Sequence, residues 1–294
     1  MSSAAVTTGP PLLHQRARRA RAYLRRFPIA FHLAAAVLLV HVLVALTGQW
    51  WAPYPSSAVL VGPQFAHPSL HHLFGTDNFG RDIFSRVVDG ERVVLALALA
   101  AAGAAVVVGG TLGLLVAYAR GWVDEAVMRV VDIVMTVPPL ILSLLILGAV
   151  GANHLVLVAT VAFFFSARVA VVVRAAALDI VTEDFVTAAE LRGESSLSIA
   201  FRELLPNVAS SVLVEFSLRT GYAVLTIASL SFLGFGSKPP TPDWGLMISE
   251  GRSYMASAPW LVLAPSLVLA SLVVALSLFT EGIDDALSAR QASE

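Results

Sequence analysis

The chain has 294 residues, 57% of them hydrophobic and 13% charged, with a formal net charge of -1 and a mean hydropathy of +0.79. That is too apolar for a soluble domain, and it predicts an all-α polytopic membrane protein. A chain without a basic face beyond its N-terminus is no nucleic-acid binder, and the absence of cysteine excludes disulfides, thiolate metal sites and thiol catalysis.

Residues 1–28 make a basic segment, with six Arg between Leu12 and Phe27. It reads either as an interfacial helix on anionic lipid or as a plain positive-inside anchor. The apolar run 29–47 predicts a first transmembrane helix, since it exceeds the ~7–15 residues of a cleaved signal's apolar core. Trp50, Trp51 and Tyr54 follow as interfacial aromatics. An extracytoplasmic loop is expected over 48–91. Its His67, His71 and His72 lie close in sequence, but without Cys or a helical i, i+4 partner they point to a solvated loop rather than a metal site.

Residues 92–280 predict a five-helix core. The second span, about Val93–Ala119, carries Gly103, Gly109, Gly110 and Gly113, small residues that let helices approach in lipid. The third, about Ala126–Val150, has Pro138 and Pro139 in its middle, a kink that marks either a gate or a packing feature. The fourth, about His154–Val173, holds Arg168 toward its cytosolic end, where snorkelling accounts for it. The fifth, about Val208–Leu233, holds Glu215 and Arg219 on one face, either lining a path or pairing structurally. Gly and Pro from Leu230 to Gly245 predict a rigid connection, and the sixth span, about Leu261–Phe279, precedes a polar tail at 281–294. Both termini, with Arg120, Arg174, Arg192, Arg202 and Arg290, fall on the cytosolic side by the positive-inside rule. No internal repeat of the secondary-transporter kind is visible.

The polar interruption from Arg174 to Asn207 organises the rest. Thr182 is placed to cap a helix whose first turn holds Glu183 and Asp184, and Gly193 is placed to stop it. A second short helix starts near Ser195 or Ser196 and ends by Pro206. Phe185, Ala188, Ala189 and Arg192 share one face of the first helix. That face suits either a solvated helix lying on the bilayer or close docking of another surface.

The spacing Ala188-Ala189, three residues, Gly193, nine residues, Glu203, one residue, Leu205-Pro206 resembles the EAA signature of ABC importer permeases. Thr187 stands where the family has its eponymous Glu, and Glu203 where many members are apolar. Two further blocks, Gly75-Thr-Asp-Asn-Phe-Gly-Arg-Asp82 with Ser85-Arg86, and Leu230 to Gly245 with Gly251-Arg252 and Pro259-Trp260, resemble the C-type permease subunit of dipeptide, oligopeptide and nickel importers. So does the ending Asp284-Asp285-Ala286-Leu287. The resemblance implies a type I ABC importer permease fold with six transmembrane helices, in the bacterial cytoplasmic membrane. It implies that Phe185, Ala188, Ala189, Glu190, Arg192, Gly193, Leu205 and Pro206 couple the chain to an ATPase.

The chain has no GxxxxGK[ST] phosphate loop. It is accordingly expected to be no enzyme and to bind no cofactor, with ATP and Mg on two partner ATPase subunits or one two-domain ATPase. A second homologous permease and an extracytoplasmic substrate-binding protein complete the implied complex. Its expected cargo is dipeptides or short peptides, taken up by alternating access, with nickel chelates or haem as alternatives. Candidate path residues are Asp132, Pro138, Glu215 and Arg219. A different class, an ion-coupled secondary transporter with Asp132, Glu215 and Arg219 as its relay, stays open, as does a membrane scaffold.

Overall fold

The computed structural model describes residues 29–291, with side chains to residue 287; the basic segment 1–28 lies outside it. The described residues form helices and contain no strand. They are α1 (Ile29–Trp51), α2 (Ile83–Ala119), α3 (Gly121–Thr136), α4 (Pro139–Val150), α5 (His154–Ile180), α6 (Asp184–Leu191), α7 (Ser196–Phe232), α8 (Trp244–Gly251) and α9 (Trp260–Gln291). Five of them, α1, α2, α5, α7 and α9, are long and apolar enough to cross a bilayer. A sixth crossing requires the pair α3 and α4 to count as one.

That pair departs from the expected kinked span. The two helices meet at 85° across Val137 and Pro138. Neither proline N can donate a backbone hydrogen bond, so the i→i−4 ladder fails twice in succession and the chain turns instead of kinking. Pro138 then occupies the N-cap of α4 with Pro139 in its first turn, where a missing N–H costs nothing.

Other boundaries move for similarly local reasons. Helix α2 begins at Ile83, so Arg86 and Glu91 belong to a helix rather than to the loop expected over 48–91. Asp82 caps it, accepting from the Ser85 N–H at 2.8 Å. Helix α9 continues through the expected polar tail to Gln291.

In lipid, where apolar surface gives no drive between helices, packing depends on close approach. Gly109 and Gly113 of α2 supply it: a Cβ at either position would lie 2.2 Å from the Ser166 carbonyl or 2.6 Å from that of Ala170, both on α5. Helices α2, α5 and α7 thus form the centre, with α1 and α9 packed together beside them. A buried polar contact ties that side in, His41 of α1 meeting Glu91 of α2 at 2.5 Å and Ser271 of α9 at 3.0 Å.

The bundle has two dissimilar ends. At one, residues 52–82 and α8 make a cap over the helices, with Trp244 fully buried and its Nε1 donating to the Val87 carbonyl at 2.9 Å. The other end carries α6, packed on a second apolar cluster that includes Leu114, Val169, Val173, Ile199 and Leu204.

Candidate functional site

Helix α6 begins at an N-cap of extended backbone, Glu183, with Asp184 in its first turn. No side chain caps it; Thr182 instead donates to the Asp179 carbonyl at 3.4 Å. Its other end is a Schellman turn. The N–H of Gly193 reaches the Glu190 carbonyl at 2.9 Å, and that of Glu194 reaches Ala189 at 3.3 Å. Gly193 has φ +75°, the left-handed conformation this turn requires.

The chain then enters α7 through Ser195, whose hydroxyl accepts from the Ser198 N–H. Contrary to expectation, this helix does not end by Pro206. Residues Ile199–Leu204 are π-helical and pass directly into the α-helix Leu205–Phe232. Pro206 falls in that helix's first turn, where its missing N–H is tolerated.

Three contacts fasten the turn. Arg192 Nη2 meets Glu194 at 2.7 Å and Glu203 at 3.4 Å, and the Ser198 hydroxyl donates to Glu194 at 2.9 Å. Bonding to Arg192, reinforced by Ser198, holds the Glu194 carboxyl below its usual pKa.

The face expected to be continuous is split. Ala189 is fully buried, together with Val186, in the apolar cluster beneath the helix. Phe185, Ala188, Glu190 and Arg192 face outward, joined by Leu191 at 85% exposure, which sequence spacing did not single out. Of the two small residues, one seats the helix on its own bundle and the other is available to a neighbour. Leu205 is half-buried and Pro206 exposed.

A strut links this end to the bent pair. Arg174, near the end of α5, makes a two-pronged contact with Asp124 in the first turn of α3, Nε to Oδ1 and Nη2 to Oδ2 both at 2.5 Å. Planar guanidinium-carboxylate pairing fixes orientation as well as distance. Sequence reading noted Arg174 only as a topology charge; its partner is 50 positions away.

The second feature is a cleft of about 780 Å³ between α3, α4, α5 and α7. Val137 and Pro139 line it on either side of the break, with Phe164, Phe165 and Arg168 from α5 and Arg219 and Tyr222 from α7. Arg219 Nε donates to Glu215 at 2.8 Å, and its guanidinium lies 5.3 Å from the Tyr222 ring and 5.8 Å from that of Phe165. Glu215 itself is buried and lines a smaller neighbouring cavity with Asp284. Asp132 is exposed, is absent from both linings, and is not brought to the Glu215–Arg219 pair.

Arg168 sits nearer the middle of its helix than the hydropathy pattern predicts. Helix α5 runs to Ile180, seven residues beyond the Val173 expected from hydropathy. Arg168 consequently stands about 21 Å from one end and about 18 Å from the other, at 1.5 Å per residue. That is mid-helix, and the side chain is exposed to the cleft.

The residues of the block 75–86 are structural. Asp77 accepts from Arg81 Nε at 2.5 Å and from Arg86 Nη1 at 2.7 Å, while Glu250 of α8 meets Arg81 at 3.3 Å and Arg86 at 3.5 Å. His72 pairs with Asp82 at 2.9 Å and stacks on Tyr54, and His67 packs against Trp260. The three histidines are therefore not gathered around one point.

A multi-pass helical bundle, with a short helix presented at one end and a cleft opening between its spans, defines a membrane permease subunit. Residues 109–293 match the family described as the binding-protein-dependent transport system inner membrane component, and the chain belongs to that family of ABC transporter permeases. It is 36% identical to the glutathione transport system permease protein GsiD of Pectobacterium atrosepticum, over 91% of this chain and 90% of the relative. GsiD of Escherichia coli O6:K15:H31 is also 36% identical, over 90% and 87%. A Brucella suis chain bearing the name of a peptide transport system permease protein is 36% identical over 89% and 88%.

Proposed function

We propose that this chain is one of two permeases in an ATP-driven importer of short peptides, glutathione-like tripeptides included, in the bacterial cytoplasmic membrane. The observation that carries the reading is the build of α6. Its inner face is locked into the bundle by Val186 and Ala189, while Phe185, Ala188 and Leu191 are presented outward. Such a helix transmits a push without deforming, and its outer face suits a groove on an ATPase. Both termini and α6 lie in the cytosol, and the cap of residues 52–82 with α8 faces the substrate-binding protein.

The route for the push follows the contacts. Displacement of α6 bears on α7 through the Schellman turn and the Arg192–Glu203 contact. It bears on α5 through residues 181–183 and, from there, on α3 through the Arg174–Asp124 strut. Helix α3 ends at the 137–138 break on the rim of the cleft, so a cytosolic movement is delivered to the walls of the path. ATP and Mg stay with the partner ATPases, and cargo passes through the cleft by alternating access.

The test is reconstitution of the purified complex, with its binding protein, in liposomes. ATP-dependent accumulation of a labelled di- or tripeptide, with ATPase subunits and a second permease in stoichiometric amounts, is expected. Uptake that persists without ATP and collapses with the membrane potential would overturn the reading in favour of ion-coupled transport.

A further inference from the structure

Among the described residues, Arg168 is a charge in the cleft lining that neither packing nor pairing explains. It lies at the middle of α5, has no hydrogen bond or ion pair among the described residues, and is exposed to the 780 Å³ cleft. The other cation in that lining, Arg219, is already neutralised by Glu215. The remaining lining is aliphatic, aromatic or hydroxylic: Phe164, Phe165, Tyr222, Thr226 and Ser229 stand among Val, Met, Leu and Pro. An unpaired guanidinium within a membrane-spanning helix is costly unless it faces water, and residues of this kind mark substrate routes. Its planar donor fork fits a carboxylate with two parallel hydrogen bonds.

We infer that Arg168 is a carboxylate-recognition residue within the cleft, selecting cargo with a free carboxylate, such as a peptide C-terminus, over its neutral amide. The aromatic faces of Phe164, Phe165 and Tyr222 supply side-chain-tolerant contact alongside it, so one charge is read and the remainder of the cargo is not. The inference rests on the importer reading for the nature of the cargo, though not for the local field.

The chain has no cysteine, so a single thiol reports on this place cleanly. Val172 follows Arg168 by one turn, on the same face, and lines the same cleft. In the full complex, made with a cysteine-free partner permease, Val172→Cys is labelled with thiol-specific methanethiosulfonates carrying a sulfonate or a trimethylammonium group. With each rate divided by that reagent's rate with a free thiol in solution, the sulfonate should be favoured, and Arg168→Gln should reduce the anion-to-cation ratio about tenfold while Arg168→Lys retains it. In proteoliposomes, Arg168→Gln should abolish the preference for a free-carboxylate peptide over its amide in ATP-driven competition, in a complex that still assembles.

A rate ratio indifferent to Arg168→Gln would overturn the inference, for it would mean that an acid of the second permease already neutralises the guanidinium. Equal loss of acid and amide uptake, or loss of assembly, would also overturn it, by assigning Arg168 a structural role. If the wild-type complex transports no peptide at all, the importer reading fails by itself; the labelling ratio is still measured and decides whether Arg168 offers its charge to an anion.

Discussion

The two ends of the bundle each carry a network of arginines and carboxylates, and they do opposite things. At the cap end, Asp77, Arg81 and Arg86 are all buried, and the network ties a loop, the start of α2 and α8 into one piece. Among the buried side-chain polar atoms described, Arg86 Nε alone lacks a partner. At the α6 end, Arg192 is more than half exposed, with Glu194 and Glu203 about a quarter exposed. Buried pairs are rigid because removing one partner strands a charge out of water, whereas exposed pairs contribute little and exchange readily. On the proposed importer reading, the difference suits a cap that holds its shape and an α6 end that moves with an ATPase.

The largest effect should come from breaking the buried network. Asp77→Ala leaves two buried guanidinium groups short of their acceptor, and a loss of about 3–5 kcal/mol is expected. It should appear as a large drop in the thermal midpoint of the detergent-solubilised complex, or as failure to accumulate in the membrane. A midpoint close to wild type would refute the claim that this network holds the cap.

Next in size are two substitutions on adjacent residues of α6. Ala189→Arg forces a long charged side chain into a filled apolar site, where overpacking alone costs about 1–3 kcal/mol and the charge adds to it. Protease sensitivity of the loop should rise sharply. Ala188→Arg, facing outward, should leave loop protection unchanged yet dislodge the ATPase subunits, read as their loss on co-purification. If the two variants behave alike, the inward and outward division of α6 is wrong.

A smaller effect is expected at Gly193, whose φ of +75° any other residue adopts at a cost of about 1–2 kcal/mol. Gly193→Ala should loosen hydrogen-exchange protection in the α6 loop and raise ATP hydrolysis relative to transport. Unaltered protection would show that the Schellman turn is not what holds the helix.

The smallest concerns Glu194. Its carboxyl is depressed below the usual range by Arg192 and Ser198, so its tightening of the turn is complete above the unfolded carboxylate pKa. That contribution disappears as pH falls through the depressed folded value. Exchange protection over 192–204 should therefore fade slightly on acidification, and Glu194→Gln should remove that pH dependence while costing little at neutral pH. A fade of equal size in Glu194→Gln would assign it to another group.

Legibility differed sharply between the two ends. At the α6 end, the short helix, its stop at Gly193 and its restart at Ser195 and Ser196 were readable because capping and left-handed turns are local chemistry, spelled within three or four residues. The division between Ala188 and Ala189 was not, because a heptad-like face says only which residues are neighbours. Which of them points at the bundle depends on Leu114, Ile199 and Leu204 from other helices. At the cap end, the block 75–86 was recognisable as a pattern of residues, yet its role as a buried ion-pair network needed Glu250, far along the chain.

By itself the sequence determined an all-α membrane chain, the approximate positions of five long apolar helices, the family blocks, and the stop at Gly193 with the restart at Ser195 and Ser196. All of these depend on composition or on neighbours within one helical turn. Only the tertiary structure decided that the two prolines divide a span into helices 85° apart, and that Arg174 is held by Asp124. It also decided that Glu215 neutralises one arginine of the cleft and that Arg168 has no ion-pair partner among the described residues. Hydropathy averages over a window and cannot see an angle, and a charge in an apolar helix acquires its meaning from whatever the other helices bring to face it.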